Sequence, residues 1–266
     1  MIEVTQIDFY VVWLISFCGL ALRYALFAGL AFYMLYYATR LAYSGKRLRS
    51  DSINMRYVVQ DIGWSAISFI IFGVMIAGIM HLSGAGYTKL YTDVHQFGTG
   101  FVVIGLVVLL LAHDAYFYWM HRLLHTRWFY RHVHFRHHRP SPPTPFTSFA
   151  FHPIEAVLEF AFIIPMVFLF PFHPITLFLF ANMMTAMNVW GHLGVELMPQ
   201  RFLRKWYGSF FNSTTHHDMH HQYNKGNYGL YFSLWDHVMK THHPKYLDKR
   251  NQYNVKLKTK AGDDQC

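Results

Sequence analysis

The chain has 266 residues, of which 53% are hydrophobic, 19% aromatic and only 14% charged, whereas a soluble domain carries about a quarter charged residues. That shortfall excludes an ordinary soluble globule, and several apolar runs approach the roughly 20 residues that span a bilayer. The formal charge of +9 does not indicate nucleic acid, because the basic residues flank apolar runs instead of forming a patch on a soluble module.

The N-terminal MIEVTQID is acidic and lacks a basic n-region, so no cleaved signal peptide is expected. A first apolar stretch, 7–37, is long enough to cross with tilt; Arg23 interrupts it and can snorkel or face a partner helix. A second covers 58–80 and a third 100–120. A fourth and fifth, 154–170 and 175–191, are separated by PFHP, where Pro171 and Pro174 force a tight hairpin that either crosses fully or dips into the bilayer. The predicted fold is an all-α integral membrane protein with four to five hydrophobic helical segments and a cytoplasmic helical cap that carries the histidines. It divides into N-terminal transmembrane helices with a basic loop (1–113), a histidine-bearing catalytic region (114–245) and a polar tail (246–266). Cys18 and Cys266 imply no disulfide framework.

Topology follows from lysine and arginine. The loop after the first stretch carries Arg40, Lys46, Arg47, Arg49 and Arg56; residues 122–139 carry five arginines; the chain from Arg201 onward is basic again. The 81–97 loop has only Lys89 and the 171–174 turn has none. Alternating spans place the three basic regions in the cytoplasm and the N-terminus outside. The histidines of 121–138 and of 216–221 are separated by two apolar segments, an even number, so both face one compartment.

Histidine is the dominant chemical signal, at 19 residues. His121 and His125 form H-x3-H; His134, His137 and His138 form H-x2-H-H; His217, His220 and His221 form a second H-x2-H-H. On a helix, positions i, i+3 and i+4 share a face, so each box is expected to aim its rings at one point. Eight imidazoles exceed the needs of one metal and suit two, each with four or five nitrogens. Imidazole alone does not choose among iron, copper, nickel and zinc. His192 is a further expected ligand, at the cytoplasmic end of the fifth segment with Asn188 one turn earlier, and His216 is the least secure one. Asp114, Tyr118, His121 and His125 form one helical stripe, which predicts that Asp114 orients a ligand imidazole through its second N–H. His152 reads as structural beside Glu155, and His132 falls off the helical face of the second box.

These residues resemble the fatty acid hydroxylase (sterol desaturase) superfamily of integral membrane di-iron oxygenases. The resemblance rests on DAYFYWMHRLLH (114–125), HFRHH (134–138), FHPIE (151–155), GHLG (191–194) and HHDMHHQYNKGNYG (216–229), followed by WD (235–236). The eight residues between His125 and His134 match the sterol desaturase-like group; the related acyl-CoA desaturases usually have a longer segment there. The chain departs from the pattern after Asp236, with HVMKTHHP where a small glycine-containing turn is common. The resemblance implies two iron ions on the histidines, with zinc able to occupy the site in purified protein, and Asp218 and Asn227 as supporting residues of the last box. It also implies O2 activation and attack on an unactivated C–H bond of a lipid dissolved in the bilayer. Hydroxylation is favoured over desaturation, and an acyl chain or polar lipid over a sterol-like or carotenoid ring. With no dinucleotide fingerprint and no cysteine cluster, electrons are expected from a separate donor of ferredoxin or cytochrome-b type with its reductase. The compact length suits a bacterial inner membrane, with the endoplasmic reticulum as the alternative.

Two other classes compete. A membrane zinc metallohydrolase needs a general base such as the glutamate of H-E-x-x-H, and no box here contains one. A transporter places its ligands near the bilayer midplane, and a haem protein needs only one or two axial ligands. Neither pattern matches a crowd of imidazoles on one rim.

Overall fold

The computed structural model describes residues 8–49, 51–203 and 205–246, so the expected polar tail, apart from Tyr246, and Cys266 lie outside the described residues. Three helices are long and apolar enough to cross a membrane: α1 (Phe9–Ala38), α2 (Met55–Gly84) and α3 (Thr99–Leu124). They match the first three predicted stretches. Each of the first two starts where a short polar side chain meets an orphan N–H, with Asp8 accepting from Tyr10 and Asn54 from Arg56. Leu22, Leu26 and Leu30 of α1 and Val103, Ile104 and Leu111 of α3 stand exposed. Such apolar faces suit lipid contact and would be an aggregation liability in water. The chain is an all-α membrane protein; the described residues form no strand, only isolated bridges at Arg47–Val195 and Phe211–Phe232.

A short helical run over 127–138, here α4, follows α3 after one turn and includes a π-helical turn, Tyr130–His134. The fourth predicted segment is not one helix. It divides into α5 (Pro153–Ala161) and α6 (Ile163–Leu169), because Pro165 has no N–H to offer the carbonyl four residues earlier. The fifth is continuous as α7 (Pro174–Gly191). Both α5 and α7 begin in the same tetrapeptide, FHPI. In each, the histidine Nδ1 accepts from the isoleucine N–H, at 3.2 Å for His152 and 3.1 Å for His173, with proline at the first helical position.

The hairpin tip meets the α2–α3 connection. The N–H groups of Lys89 and Tyr91 donate to the carbonyls of Val167 and Phe172, and His173 Nε2 lies 3.0 Å from the Thr92 carbonyl. The α5–α7 hairpin therefore reaches the same level as the far ends of α2 and α3. Aromatic packing joins the helices: Tyr24 and Phe32 of α1 with Phe69 and Phe72 of α2 and with Phe149 and Phe151, and Phe162 and Phe180 around Leu109.

At the opposite end, α8 (Thr214–Tyr223) is capped by Ser213 and stopped by Asn224 at φ 56°. Arg49 clamps α8 to the α1–α2 loop: its Nε lies 3.0 Å from an Asp218 carboxylate oxygen and its terminal N–H donates to the Asp218 carbonyl at 2.8 Å. Buried Asp61 of α2 accepts from Thr147 and pairs with Arg136, which moors the chain around α4. A last short helix, α9 (Leu234–Val238), closes the cap.

Candidate metal centre

Nine of the ten expected imidazoles meet in two adjoining clusters. His121, His125, His134, His138 and His220 form one, and His137, His192, His217 and His221 the other; within each, the nitrogens lie within 4.8 Å of one another. In the first, His134 Nε2 lies 3.2 Å from His121 Nε2 and 3.1 Å from His138 Nε2, and His220 Nε2 is 3.2 Å from His138 Nε2. In the second, His192 Nε2 is the hub, 3.3 Å from His137 and 3.2 Å from both His217 and His221. The clusters touch through the stacked rings of His138 and His221, 4.3 Å apart.

The boxes do not each serve one point, as the one-face argument expected. At about 100° per residue, i and i+4 project on nearly the same line, while i+3 swings to its other side. His134 and His138 thus enter the first cluster and His137 the second. On α8 the pattern is reversed, with His217 and His221 in the second cluster and His220 in the first. Each of these helices supplies a pair to one cluster and a single ring to its neighbour.

Five rings are oriented through Nδ1. His121, His125 and His220 bond the carbonyls of Tyr228, Asn224 and Gly226 at 2.9, 3.1 and 2.8 Å. His192 bonds the Asn188 carbonyl at 2.7 Å, and His134 meets Glu155 Oε1 at 2.7 Å. The four that face carbonyls are therefore donors, and His134 is one when Glu155 is ionised, which leaves Nε2 as a bare lone pair. Lone pairs converging at such distances repel unless a cation lies between them, so the donor set fits a metal ion at each cluster. Burial, and then repulsion among the rings, lowers the pKa of His134, His137, His138, His217, His220 and His221 well below the usual imidazole value. Burial likewise brings His192 down to about 4. Neutral imidazole is the ligating form.

The alternate carbonyls of 224, 226 and 228 explain NKGNY. Asn224, Gly226 and Asn227 all take positive φ, conformations in which asparagine and glycine are the least strained residues. Asp236 holds this loop by accepting from the N–H groups of Tyr228 and Gly229 at 2.9 and 2.8 Å. Burial alone would raise its pKa, but His216, Thr241 and the Gly229 N–H outweigh burial and hold it at about 2. The segment after Asp236, where the chain departs from the motif, completes the brace. Thr241 donates to Asp236 at 2.7 Å, and its carbonyl accepts from the Asn227 N–H.

Several expected roles change. His216 lies outside both clusters, its Nε2 3.4 Å from Asp236 and both side chains fully buried, because it precedes His217 and faces away from the ring layer. Asp114 touches no imidazole; its Oδ1 accepts from the N–H groups of Tyr231 and Phe232, both at 3.1 Å, so it pins the strap after the NKGNY loop. Tyr118 points to Thr241 Oγ1 at 2.9 Å. Asn188 orients His192 with its carbonyl, while its amide donates to the Ser148 carbonyl. Asp218 is the Arg49 anchor, and Asn227 bridges the His216 carbonyl and the His243 N–H. The residue missed as an orienting group was Glu155; its signal was the acid in FHPIE, which the first turn of α5 aims at His134. His132 is exposed and, among the described residues, bonds the Trp128 carbonyl alone.

Gly191 is explained by a close approach. A Cβ there would lie 2.9 Å from Cδ2 of the His217 ring. Gly191→Ala is expected to displace that ring and to lower turnover at least about tenfold, since a misplacement near 1 Å can cost on the order of 100-fold. Steady-state rates and the metal content of the purified variant check this.

Comparison with known proteins agrees with these features. The sequence profile described as fatty acid hydroxylase matches residues 106–241, just over half of the chain. Lathosterol oxidase of Rattus norvegicus is 31% identical over 225 residues, covering 83% of this chain and 70% of the relative. The chain belongs to the fatty acid hydroxylase family. Lathosterol oxidase of Homo sapiens is 32% identical over 189 residues (69% of this chain, 58% of the relative), and a Delta(7)-sterol 5(6)-desaturase of Gibberella zeae is 27% identical over 230 residues (84% and 66%). No solved structure matches. Family membership makes this chain a membrane oxidoreductase with two histidine clusters able to hold metal ions.

Proposed function

We propose that this hydroxylase-family protein removes hydrogen from an unactivated C–H bond of a membrane lipid, using O2 and electrons from a separate donor. The observation that carries the reading is the juxtaposition of nine imidazoles, eight of them buried, with an apolar cavity of about 660 Å³ among α1, α2, the α5–α7 hairpin and Phe151. Five imidazoles (His121, His125, His134, His138, His220) would hold one iron and four (His137, His192, His217, His221) the other. When bound, such a pair supplies the activation of O2 that imidazole and carboxylate side chains cannot perform.

The protein's own part is to place and to exclude. Phe151 lines the cavity, and its ring centroid is 5.4 Å from that of His137. Asn188 also lines it, and the Asn188 carbonyl fixes the His192 ring. One end of the cavity is thus lined by residues that touch the four-imidazole cluster, and a lipid lying along it would present C–H bonds toward that layer. Phe72, Phe160, Phe162 and Phe180 wall the chamber with apolar surface that keeps water from the reacting carbon.

Hydroxylation and desaturation share this centre and differ in where the second hydrogen lies. The animal and fungal relatives bear the names of sterol desaturases and oxidases, which favours loss of two hydrogens from a sterol-like lipid over the hydroxylation expected from the sequence. The same relatives favour the endoplasmic reticulum over a bacterial membrane. Exposed Arg127, Arg131, Lys225 and Lys240 surround the histidine cap; on the cytoplasmic side they would attract an acidic electron carrier.

Lipid mass spectrometry of cells with and without the protein tests the reading. A product lighter by two hydrogens marks desaturation, and one heavier by a single oxygen marks hydroxylation. Absence of both, together with fewer than two metal ions per purified chain, would reject the oxygenase assignment.

A further inference from the structure

The cavity is not uniformly apolar. Glu159 and His113 both line it, away from the imidazole layer. By helical rise Glu159 sits about 6 Å beyond Glu155, and His113 about 12 Å beyond His121. Glu159 is half-buried and meets no hydrogen-bond or ion-pair partner among the described residues. The Tyr231 hydroxyl lies 2.8 Å from His113 Nδ1. The His113 ring is fixed between Phe162 and Phe180, at centroid distances of 5.0 and 5.3 Å, and no partner among the described residues meets its Nε2. A carboxylate held in an apolar chamber without a partner is costly, and the metal centre makes no use of either group.

We propose that Glu159 and His113 together recognise a hydroxyl group on the lipid substrate, an inference that rests on reading the cavity as the substrate chamber. With Tyr231 O–H donating to Nδ1, His113 Nε2 carries the proton and donates into the cavity. A hydroxyl oxygen accepts that bond, and its own hydrogen is donated to the Glu159 carboxylate. One donor and one acceptor on the protein are thus matched by the one group that offers both from a single atom. An ammonium head leaves the His113 N–H opposite another donor; Arg23 also lines the cavity and is the group that an anionic head would seek instead. Anchoring the hydroxyl there fixes which carbon of the lipid lies beside the imidazoles. The hydroxyl can belong to a sterol ring or to a long-chain alcohol.

The test uses the full-length protein in lipid nanodiscs, without turnover. Binding is measured for cholesterol, octadecanol, their methyl ethers and octadecanoate. The free hydroxyl of at least one pair is expected to bind about tenfold tighter than its ether, because the ether leaves a buried polar group unpaired. Preference within the cholesterol pair identifies a ring lipid, and within the octadecanol pair a chain. Glu159→Leu should bring alcohol and ether within twofold, while Glu159→Gln, which keeps a carbonyl acceptor, should retain part of the preference. Thermal unfolding of both variants separates this from loss of fold. Equal binding of alcohol and ether by the unaltered protein, no binding of either pair, tighter binding of octadecanoate, or a preference unchanged in Glu159→Leu would each overturn the proposal. Alcohol preference without any oxidised lipid in cells would instead reject the oxygenase reading and leave hydroxyl recognition standing.

Discussion

His192→Ala and His220→Ala are both expected to lower turnover by more than about 100-fold, yet to differ in how they hold metal. His192 is the hub of the four-ring cluster, with Nε2 atoms of three other histidines 3.2–3.3 Å away. Its removal leaves three imidazoles, a donor count typical of open sites. His220 belongs to the five-ring cluster, so its removal leaves four. A chelator challenge of the purified variants should therefore strip one of two metal ions from His192→Ala readily, while His220→Ala retains both for longer. His132→Ala and His243→Ala serve as controls, since the first ring is exposed and the second stacks on Tyr223 at 4.3 Å and belongs to neither cluster. Full turnover in either ligand variant, or equal loss of metal from all four proteins, would sink the partition of the rings.

Much of this molecule was legible because membrane helices and metal sites are written in strong local signals. The first three spans are long apolar runs, and their ends in the structure lie within a few residues of the predicted ones. The histidine boxes are equally plain as a set, but their partition was hidden. A box of i, i+3 and i+4 looks like one face on paper, and only the placement of α4 against α8 shows that the i+3 ring belongs to the neighbouring cluster. The orienting groups were the least visible part. Asp114 and Tyr118 share a helical stripe with His121, yet side chains a turn or more away on the same helix are spent on tying down residues 231–241. The rings are instead turned by carbonyls at 188, 224, 226 and 228. Carbonyls occur at every residue and leave no mark in a sequence except through the asparagines and glycine that let the chain curl. His113 and Glu159 carried no motif at all; only the cavity brings them together.

Glu155 is where orientation of the metal ligands can be separated from the fold. Its Oε1 accepts from His134 Nδ1–H at 2.7 Å, and both side chains are almost wholly buried. His134 in turn faces both His121 and His138 through Nε2, so a turn of this one ring disturbs three members of the five-ring cluster. Glu155→Leu removes the acceptor and leaves a buried N–H unpaired. Loss of such a supporting carboxylate typically lowers metal affinity or activity by about 10- to 100-fold, and a similar loss is expected here. Glu155→Gln keeps a carbonyl oxygen in place and should lose less. The metal-free fold is expected to respond in the opposite direction. A buried carboxylate is costly and Oε2 has no partner among the described residues, so replacing it by leucine removes a desolvation cost that offsets the unpaired N–H. Thermal unfolding of the metal-free protein should then be unchanged or slightly raised in Glu155→Leu, while competition against a chelator shows weaker metal binding. A variant that unfolds earlier without metal, and binds metal as tightly as the parent once folded, would make Glu155 a packing residue with no part in holding His134.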